Sequence, residues 1–332
     1  MREDTHRIVV VGASSLLGRE IAEELNAGPL GSGTVVLLDS DAEPGKLEDI
    51  GGEASVLQAV EPASFEGADA VIFATAADAG RYWEDAVRFG AAAIDATGTV
   101  RGLPVLSPRV RDHTTLSLET TGVAAAHPAA TMLAAVLVPL HKAGLLQDAY
   151  ATVLQPASEN GAAALDELHQ QTISLLSFQT VPTEQHDVQV AFNLLGRLGE
   201  DAKFEVASTK SLVERQLGSL LDGAPAPMLQ WVQAPAFHGY AVSLFVKAGE
   251  AASLETVEEA LRSDLIEPVA ADDPPASNIA AAGQDKILVE SAADSSGVLR
   301  FWIVADNLKL LAQTAVGCAI ELLRMRPSGV VQ

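Results

Sequence analysis

The chain has 332 residues, 48% of them hydrophobic but only 5% aromatic, and its formal net charge is −23. So large a negative charge repels phosphate groups, which excludes nucleic acid and anionic membrane surfaces as partners. The single cysteine, Cys318, excludes an intramolecular disulfide and a cysteine-based metal cluster, and no histidine spacing indicates a metal site.

The length suits two domains of ordinary size, each with its own core. The N-terminal segment lacks the apolar stretch of a signal peptide. No stretch reaches the roughly 18 consecutive apolar residues that a membrane-spanning helix needs. The sequence therefore predicts a cytoplasmic protein.

The first predicted elements are a strand, a glycine-containing turn and a helix. Ile8–Val11 is a β-branched run typical of a buried parallel strand. Gly12 and Gly18 bound the turn that follows, and helical spacing of apolar residues continues to Ala27. A turn of this kind allows close backbone approach to a pyrophosphate, and the helix start attracts negative charge. A tight turn without a ligand is the alternative.

Three further strands are predicted, over residues 34–38, 70–74 and 92–95, with a helix over residues 79–89 before the last. Strands alternating with helices of this length indicate a parallel sheet with right-handed crossovers. Asp39 follows the second strand, where an acidic residue binds the ribose 2′-hydroxyl and disfavours a 2′-phosphate. A solvated turn carboxylate is the alternative for Asp39.

From residue 150 onward, strand-like stretches at 151–155, 230–234, 242–248 and 299–304 mix with helices such as 161–176. The fold class is therefore predicted as α/β, with a Rossmann-type doubly wound parallel sheet and a second, α+β domain. The first domain is expected over residues 1–127, completed by a C-terminal helix at 307–326, and the second over residues 128–306.

Short matching segments recur in order along the whole chain, and together they resemble the aspartate-β-semialdehyde dehydrogenase family. The matching segments are Val11–Ala13 with Gly18, Leu37–Leu38, Pro44–Lys46, Phe65–Asp69, Ala91–Thr97 with Arg101, Pro128, Pro139–His141, Gln155–Ser158, Asp166–Leu168, Ala191–Asn193, Ala234–Phe237 and Asp306–Leu308. A branch of Usg-like proteins matches better, through Gln233–Pro235 and Ala191–Leu195.

The resemblance implies a homodimer that works in amino-acid biosynthesis, with an NADP-binding Rossmann domain and a second domain whose sheet forms the dimer interface. It also implies site residues. The cofactor-binding positions are Gly12, Ser14, Ser15, Leu16, Leu17, Asp39, Thr75 and Asn307. The substrate or anion pocket is assigned to Arg101, Gln155 and Lys210. NAD or NADP is the implied cofactor, NAD being favoured by Asp39, although the side chain of Ser15 is expected where the phosphate would lie. The alternative is that no dinucleotide binds.

The same resemblance places non-catalytic residues at the catalytic positions. Ala130 stands where the family has its cysteine nucleophile, Gln233 where it has the substrate-carboxylate arginine and Tyr240 where it has the general-base histidine. A methyl group cannot be activated as a nucleophile, so the family's covalent mechanism is lost. Thr131 with His238 or His127 is the candidate substitute pair.

Two readings follow. The favoured reading is a homodimer without catalytic residues that acts as a binding or regulatory protein with an unknown protein partner. The other reading is an active NAD(P)-dependent aldehyde oxidoreductase that uses substitute residues. A surface ion pair is the alternative role for Arg101, and a small core residue is the expected role of Cys318.

Overall fold

The computed structural model describes residues 6–40, 47–50, 53–110, 116–117, 119–248, 253–294 and 297–326. The segment Pro44–Lys46, used in the family comparison above, lies outside these residues. The strands are β1 Arg7–Val11, β2 Thr34–Asp39, β3 Leu47–Ile50, β4 Glu53–Val56, β5 Gln58–Ala59, β6 Ala70–Phe73, β7 Ala92–Asp95, β8 Val105–Leu106, β9 Gly122–Ala125, β10 Asp148–Gln155, β11 Met228–Gln233, β12 Tyr240–Lys247, β13 Ile266–Pro268, β14 Ile287–Ala293 and β15 Val298–Ala305.

The α-helices are α1 Leu16–Ala27, α2 Ala76–Arg88, α3 Pro128–Lys142, α4 Gly161–Leu176, α5 Val206–Leu220, α6 Leu254–Leu261, α7 Asn278–Ala281 and α8 Asn307–Met325. The chain divides into two compact units. The first contains the residues up to His127 and those from Leu311 onward, and the second runs from Pro128 to Leu310.

The first unit is built on a parallel sheet with the strand order β5-β2-β1-β6-β7-β9-β8. β1 lies between β2 and β6, and its residues Ile8 to Val11 are fully buried, as a strand covered on both faces requires. Helix α2 adds Ala79, Tyr82 and Ala86 to a core cluster that also contains sheet residues. This sheet confirms the predicted doubly wound class.

The last part of α8 belongs to this first unit. Cys318 Sγ lies 3.8 Å from the carbonyl oxygen of Leu106, and Arg109 donates to the side chain of Gln313 at 2.6 Å. Arg326 donates to the carbonyl oxygen of Gly90 at 2.6 Å.

The second unit contains a mixed sheet with the order β11-β10-β12-β15-β14-β13. The pairs β10–β12, β12–β15 and β14–β15 are antiparallel, and the two outer pairs are parallel. Alternation along the strands buries one face, while the other keeps large apolar side chains exposed, namely Tyr150, Met228 and Phe245. This mixed sheet confirms the predicted α+β second domain.

Candidate functional site

The glycine turn of the first unit is held against the neighbouring strand and loop. The N–H groups of Gly12 and Ala13 both donate to the carbonyl oxygen of Leu38, at 2.9 and 3.1 Å. Gly12 has a φ of +80°, and a Cβ there would come within 2.5 Å of Thr75 Cγ2. A Cβ on Gly18 would lie 2.1 Å from the Gly12 oxygen. Both glycines are therefore required by packing, whether or not a ligand binds.

Ser15 caps helix α1. Its hydroxyl donates to the carbonyl oxygen of Gly12 at 2.7 Å and accepts from the N–H of Gly18 at 3.0 Å. A serine at the N-cap gains a hydrogen bond from the orphan N–H groups of the helix start. The expectation that this side chain stands where a phosphate would lie stays a prediction. Leu16 and Leu17 begin the helix, and Leu17 is buried.

Asp39 is a buried carboxylate fixed to the glycine turn. It is only 8% exposed, which rules out a solvated turn carboxylate. Its Oδ2 accepts from the N–H of Ser14 at 3.0 Å and from the Ser14 hydroxyl. This bond sets the end of β2 against the turn that follows β1.

A second buried carboxylate, Asp78, lies beside the same turn. It occupies the first turn of α2, whose N-cap is Thr75, and is 5% exposed. The Thr75 hydroxyl donates to Asp78 Oδ2 at 2.6 Å, and the Ser40 hydroxyl donates to Oδ1. Asp78 Oδ2 lies 3.3 Å from the point that a Cβ on Gly12 would occupy.

A third buried carboxylate, Asp95, organises the loop that precedes Arg101. Asp95 Oδ1 accepts from the Thr97 N–H at 2.8 Å, the Thr97 hydroxyl at 2.6 Å and the Gly98 N–H at 3.1 Å. Its Oδ2 accepts from the Val100 N–H at 2.8 Å. Arg101 follows as an exposed side chain, and among the described residues it has no ion-pair partner. The alternative role for Arg101, a surface ion pair, has no counterpart among the described residues.

In the second unit, Ala130, where the resemblance places the family nucleophile, lies in the first turn of α3. The helix begins at Pro128. Ala130 is fully buried and Thr131 is 1% exposed. The chain's cysteine cannot replace the missing thiol as a reactive group, because burial raises the pKa of the Cys318 thiol far above its ordinary value, with a smaller effect from Glu321.

The carboxyl-terminal ends of β10 and β11 bring Gln155 and Gln233 together in a buried network. Gln155 Nε2 donates to Gln233 Oε1 at 3.3 Å, and Trp231 Nε1 donates to Gln155 Oε1 at 2.6 Å. Gln233 Nε2 donates to the carbonyl oxygens of Gln155 and Ala234, both at 3.1 Å. Gln233 is 0% exposed and Gln155 is 1% exposed. Both amides are satisfied by the protein itself.

Tyr240 continues this network at the start of β12. Its ring is fully buried and packs edge-on against Trp231, with ring centroids 6.0 Å apart. Burial raises the pKa of the Tyr240 hydroxyl well above its ordinary value, and the nearby carboxylate of Glu159 raises it further. The neighbouring Asn160 donates to Gln233 Oε1 at 3.5 Å. A tyrosine held neutral in this way cannot act as a general base near neutral pH.

Three further residues named from the sequence are Asn307, Lys210 and His238. Asn307 is 2% exposed, and its Oδ1 accepts from the Gly239 N–H at 2.9 Å and the Ser158 hydroxyl at 3.2 Å. Lys210 pairs with Glu214 on its own helix at 3.6 Å. His238 is partly exposed.

Sequence reasoning assigned no role to five polar residues that organise these regions. They are Asp78, Asp95, Glu159, Asn160 and Trp231. A signal existed for Asp95, because a carboxylate followed by threonine and glycine at a strand end is typical of a side chain that binds the next backbone N–H groups. The described residues contain no group of three or more metal-ligating side chains, and none of the described helices is long and apolar enough to cross a membrane.

Comparisons with known proteins give consistent matches over most of the chain. The family described as semialdehyde dehydrogenase, NAD binding domain, matches residues 7–139, and the semialdehyde dehydrogenase dimerisation domain matches residues 137–310. The USG-1 protein homolog of Azotobacter vinelandii is 30% identical over 91% of this chain and 93% of its own length. Aspartate-semialdehyde dehydrogenase 2 of Vibrio cholerae is 26% identical over 95% of this chain and 97% of its own.

Solved structures share the fold. A probable aspartate-semialdehyde dehydrogenase from Pseudomonas aeruginosa superposes with a TM-score of 0.85 at 24% identity, covering 97% of this chain and 99% of its own. Aspartate semialdehyde dehydrogenase II of Vibrio cholerae gives a TM-score of 0.83 at 23% identity, with the same coverage.

Proposed function

The chain belongs to the semialdehyde dehydrogenase family, and we propose that it is a Usg-like, non-catalytic member of that family. In this proposal it is a dimer with a nucleotide-binding unit, and it acts by binding rather than by oxidising an aldehyde. The proposal depends most on the buried network at the positions that the family uses for catalysis.

That network leaves no group free for the family reaction. Gln233 and Tyr240 are both fully buried, and the Gln233 amide already bonds to two backbone carbonyl oxygens. Ala130 offers no nucleophile, and the loss of the nucleophile alone removes many orders of magnitude from a covalent mechanism. Thr131 is buried and is therefore a poor substitute.

The first unit fits NAD better than NADP. The backbone at the start of α1, at Leu16 and Leu17, would hold the pyrophosphate, because the N–H groups of Gly12 to Ser15 donate within the protein. Asp39 would accept a bond from the ribose 2′-hydroxyl. The Asp39 carboxylate would repel a 2′-phosphate at the same place. When bound, NAD supplies a hydride acceptor, and the residues at the catalytic positions provide no partner for that chemistry.

The test of the central proposal is a turnover assay. We expect the purified chain, mixed with aspartate β-semialdehyde, phosphate and NAD or NADP, to form no reduced cofactor above background at 340 nm, about the wavelength where NADH and NADPH absorb. Cys318→Ala and Thr131→Ala variants are measured beside it. Turnover that persists in Cys318→Ala and disappears in Thr131→Ala would contradict the proposal and support the substitute oxidoreductase.

The dimer is proposed to form through the outer face of the second sheet. Tyr150 pairs with both Phe245 and Met228 across neighbouring strands, and the three side chains are 50%, 45% and 69% exposed. Leu195 makes an antiparallel bridge to Gln233, which places Leu194, 62% exposed, beside the edge of the same sheet. An apolar area of this kind is typical of an interface between protein chains.

Introducing charge on this face is expected to dissociate the dimer. In sedimentation velocity the native chain should have twice its 34.5-kDa mass, and the Tyr150→Asp/Phe245→Asp variant should have the mass of one chain. The reason is that an isologous interface would bury two copies of each new carboxylate, one from each protomer. Ile279→Asp, at an 83% exposed helix position of the same unit, is the control and should remain dimeric. A dimeric double variant would contradict this placement of the interface.

A further inference from the structure

We infer that Asp78 is an electrostatic selector that weakens the binding of phosphate-bearing ligands at the glycine turn. This inference rests on the proposed nucleotide-binding role of the first unit. It concerns a residue that sequence reasoning did not single out, and it is carried by the position of the Asp78 carboxylate beside Gly12.

The position of Asp78 follows from the sheet order. β1 lies between β2 and β6, and the loops after these strands meet at their carboxyl ends, where open parallel sheets bind ligands. Asp78 Oδ2 lies 3.3 Å from where a Cβ on Gly12 would be, so the carboxylate borders the turn itself. A pyrophosphate bound to this turn would lie well within one Debye length, about 10 Å at 0.1 M salt, of the carboxylate.

The described hydrogen-bond partners of the Asp78 carboxylate carry no charge. Its two oxygens accept bonds from the hydroxyls of Ser40 and Thr75, both uncharged donors. Within the described part of the chain, no basic side chain forms an ion pair with Asp78. The charge is favourable for the protein itself, because a carboxylate in the first turn of α2 interacts well with the positive end of the helix dipole.

The N-terminal ends of α1 and α2, which attract anions, already interact with side chains of the protein itself. Ser15 caps the start of α1 and accepts from Gly18, while Asp78 occupies the start of α2. A phosphate approaching the turn therefore meets less attraction from α1 and repulsion from α2. The ligand class that suits this edge is a nucleoside or a dinucleotide without extra phosphates, which presents hydroxyl groups to Asp39.

The test is the isosteric variant Asp78→Asn. An asparagine keeps the shape, and the hydroxyls of Ser40 and Thr75 can rotate to accept from its amide. Removing one charge at this distance should tighten NAD binding roughly tenfold in isothermal titration calorimetry, and tighten NADP binding as well, while leaving adenosine binding within about twofold. Asp85→Asn is the control, because Asp85 lies on the same helix and pairs with Arg88 at 2.6 Å. It should change none of the three affinities.

A second measurement compares the salt dependence of NAD binding in the native chain and in the two variants. Added salt screens the repulsion, so NAD affinity should rise between about 50 and 500 mM NaCl more steeply in the native chain and Asp85→Asn than in Asp78→Asn. Equal NAD affinity and equal salt slopes in all three proteins would overturn the selector role and leave the nucleotide-binding proposal standing. If neither NAD nor adenosine binds to the native chain or to Asp78→Asn, the nucleotide-binding proposal fails and the inference fails with it.

Discussion

Changing Gln233 to arginine, the family's substrate-binding residue, is expected to lower the free energy of unfolding by about 3 kcal/mol or more. The side chain is 0% exposed, and its amide donates to the carbonyl oxygens of Gln155 and Ala234 while accepting from Gln155 and Asn160. A guanidinium offers no acceptor, so the Gln155 and Asn160 amides would each lose a partner. Its charge would also be buried.

The measurement is urea unfolding of Gln233→Arg beside Gln170→Arg. Gln170 lies on the exposed surface of α4, where the same substitution should change stability by less than about 0.5 kcal/mol. If Gln233→Arg were as stable as the native chain, this position would already be able to hold the family's arginine. The interpretation of the network as a filled, non-catalytic core would then be wrong.

Changing Asp95 to alanine is expected to cost about 3–5 kcal/mol. Asp95 is fully buried and accepts from three backbone N–H groups and one hydroxyl of the loop before Arg101. Alanine would leave these donors without their acceptor. Asparagine should cost less, since one oxygen remains, but its amide would face a backbone N–H.

Thermal and urea unfolding of Asp95→Ala, Asp95→Asn and Asp85→Ala test this expectation. Asp85 is in an exposed ion pair with Arg88, and its removal should cost less than about 1 kcal/mol. The predicted order of stability loss is Asp95→Ala, then Asp95→Asn, then Asp85→Ala. A loss below about 1 kcal/mol for Asp95→Ala would show that water replaces the carboxylate and that the loop does not depend on it.

The parts of the fold that could be predicted are those whose pattern is local. β1 is a β-branched run that ends at a glycine turn, and α4 has helical periodicity over residues 161–176, the bounds that the structure gives. Strands alternating with helices were sufficient to predict the parallel sheet. Helix α2 begins at Ala76, three residues before its predicted start, because Thr75 caps it through the N–H of Asp78.

Other elements depend on contacts between residues far apart in sequence. Strand β9 consists of small residues, and its Gly122 fits against the ring of Trp83, where a Cβ would come within 2.6 Å. The segment after α4 is held by Gln171, whose amide binds the backbone of Pro182, Val188, Val190 and Ala191. Glu167 similarly binds the backbone and imidazole of His186. No local sequence pattern predicts these bonds.

The candidate site likewise contains some features that the sequence predicts and others that depend on long-range contacts. The alanine at position 130 could be recognised from sequence, because a missing chemical group is visible without a structure. The burial of Gln233 and Tyr240 could not be recognised, nor could the bond between Gln233 and Gln155 or the contact of Tyr240 with Trp231, because three separate strands bring these residues together. The capping role of Ser15 was not recognised either, because the direction of its hydroxyl depends on the backbone of the turn and helix start.

The most direct test of the whole account is mass spectrometry of the intact chain after exposure to aspartate β-semialdehyde with NAD or NADP. A member of this family without a thiol at position 130 should show the unmodified mass, and so should its Cys318→Ala variant. A covalent acyl adduct mapped to a peptide from the start of α3, retained in Cys318→Ala, would contradict the account and establish a nucleophile in this chain.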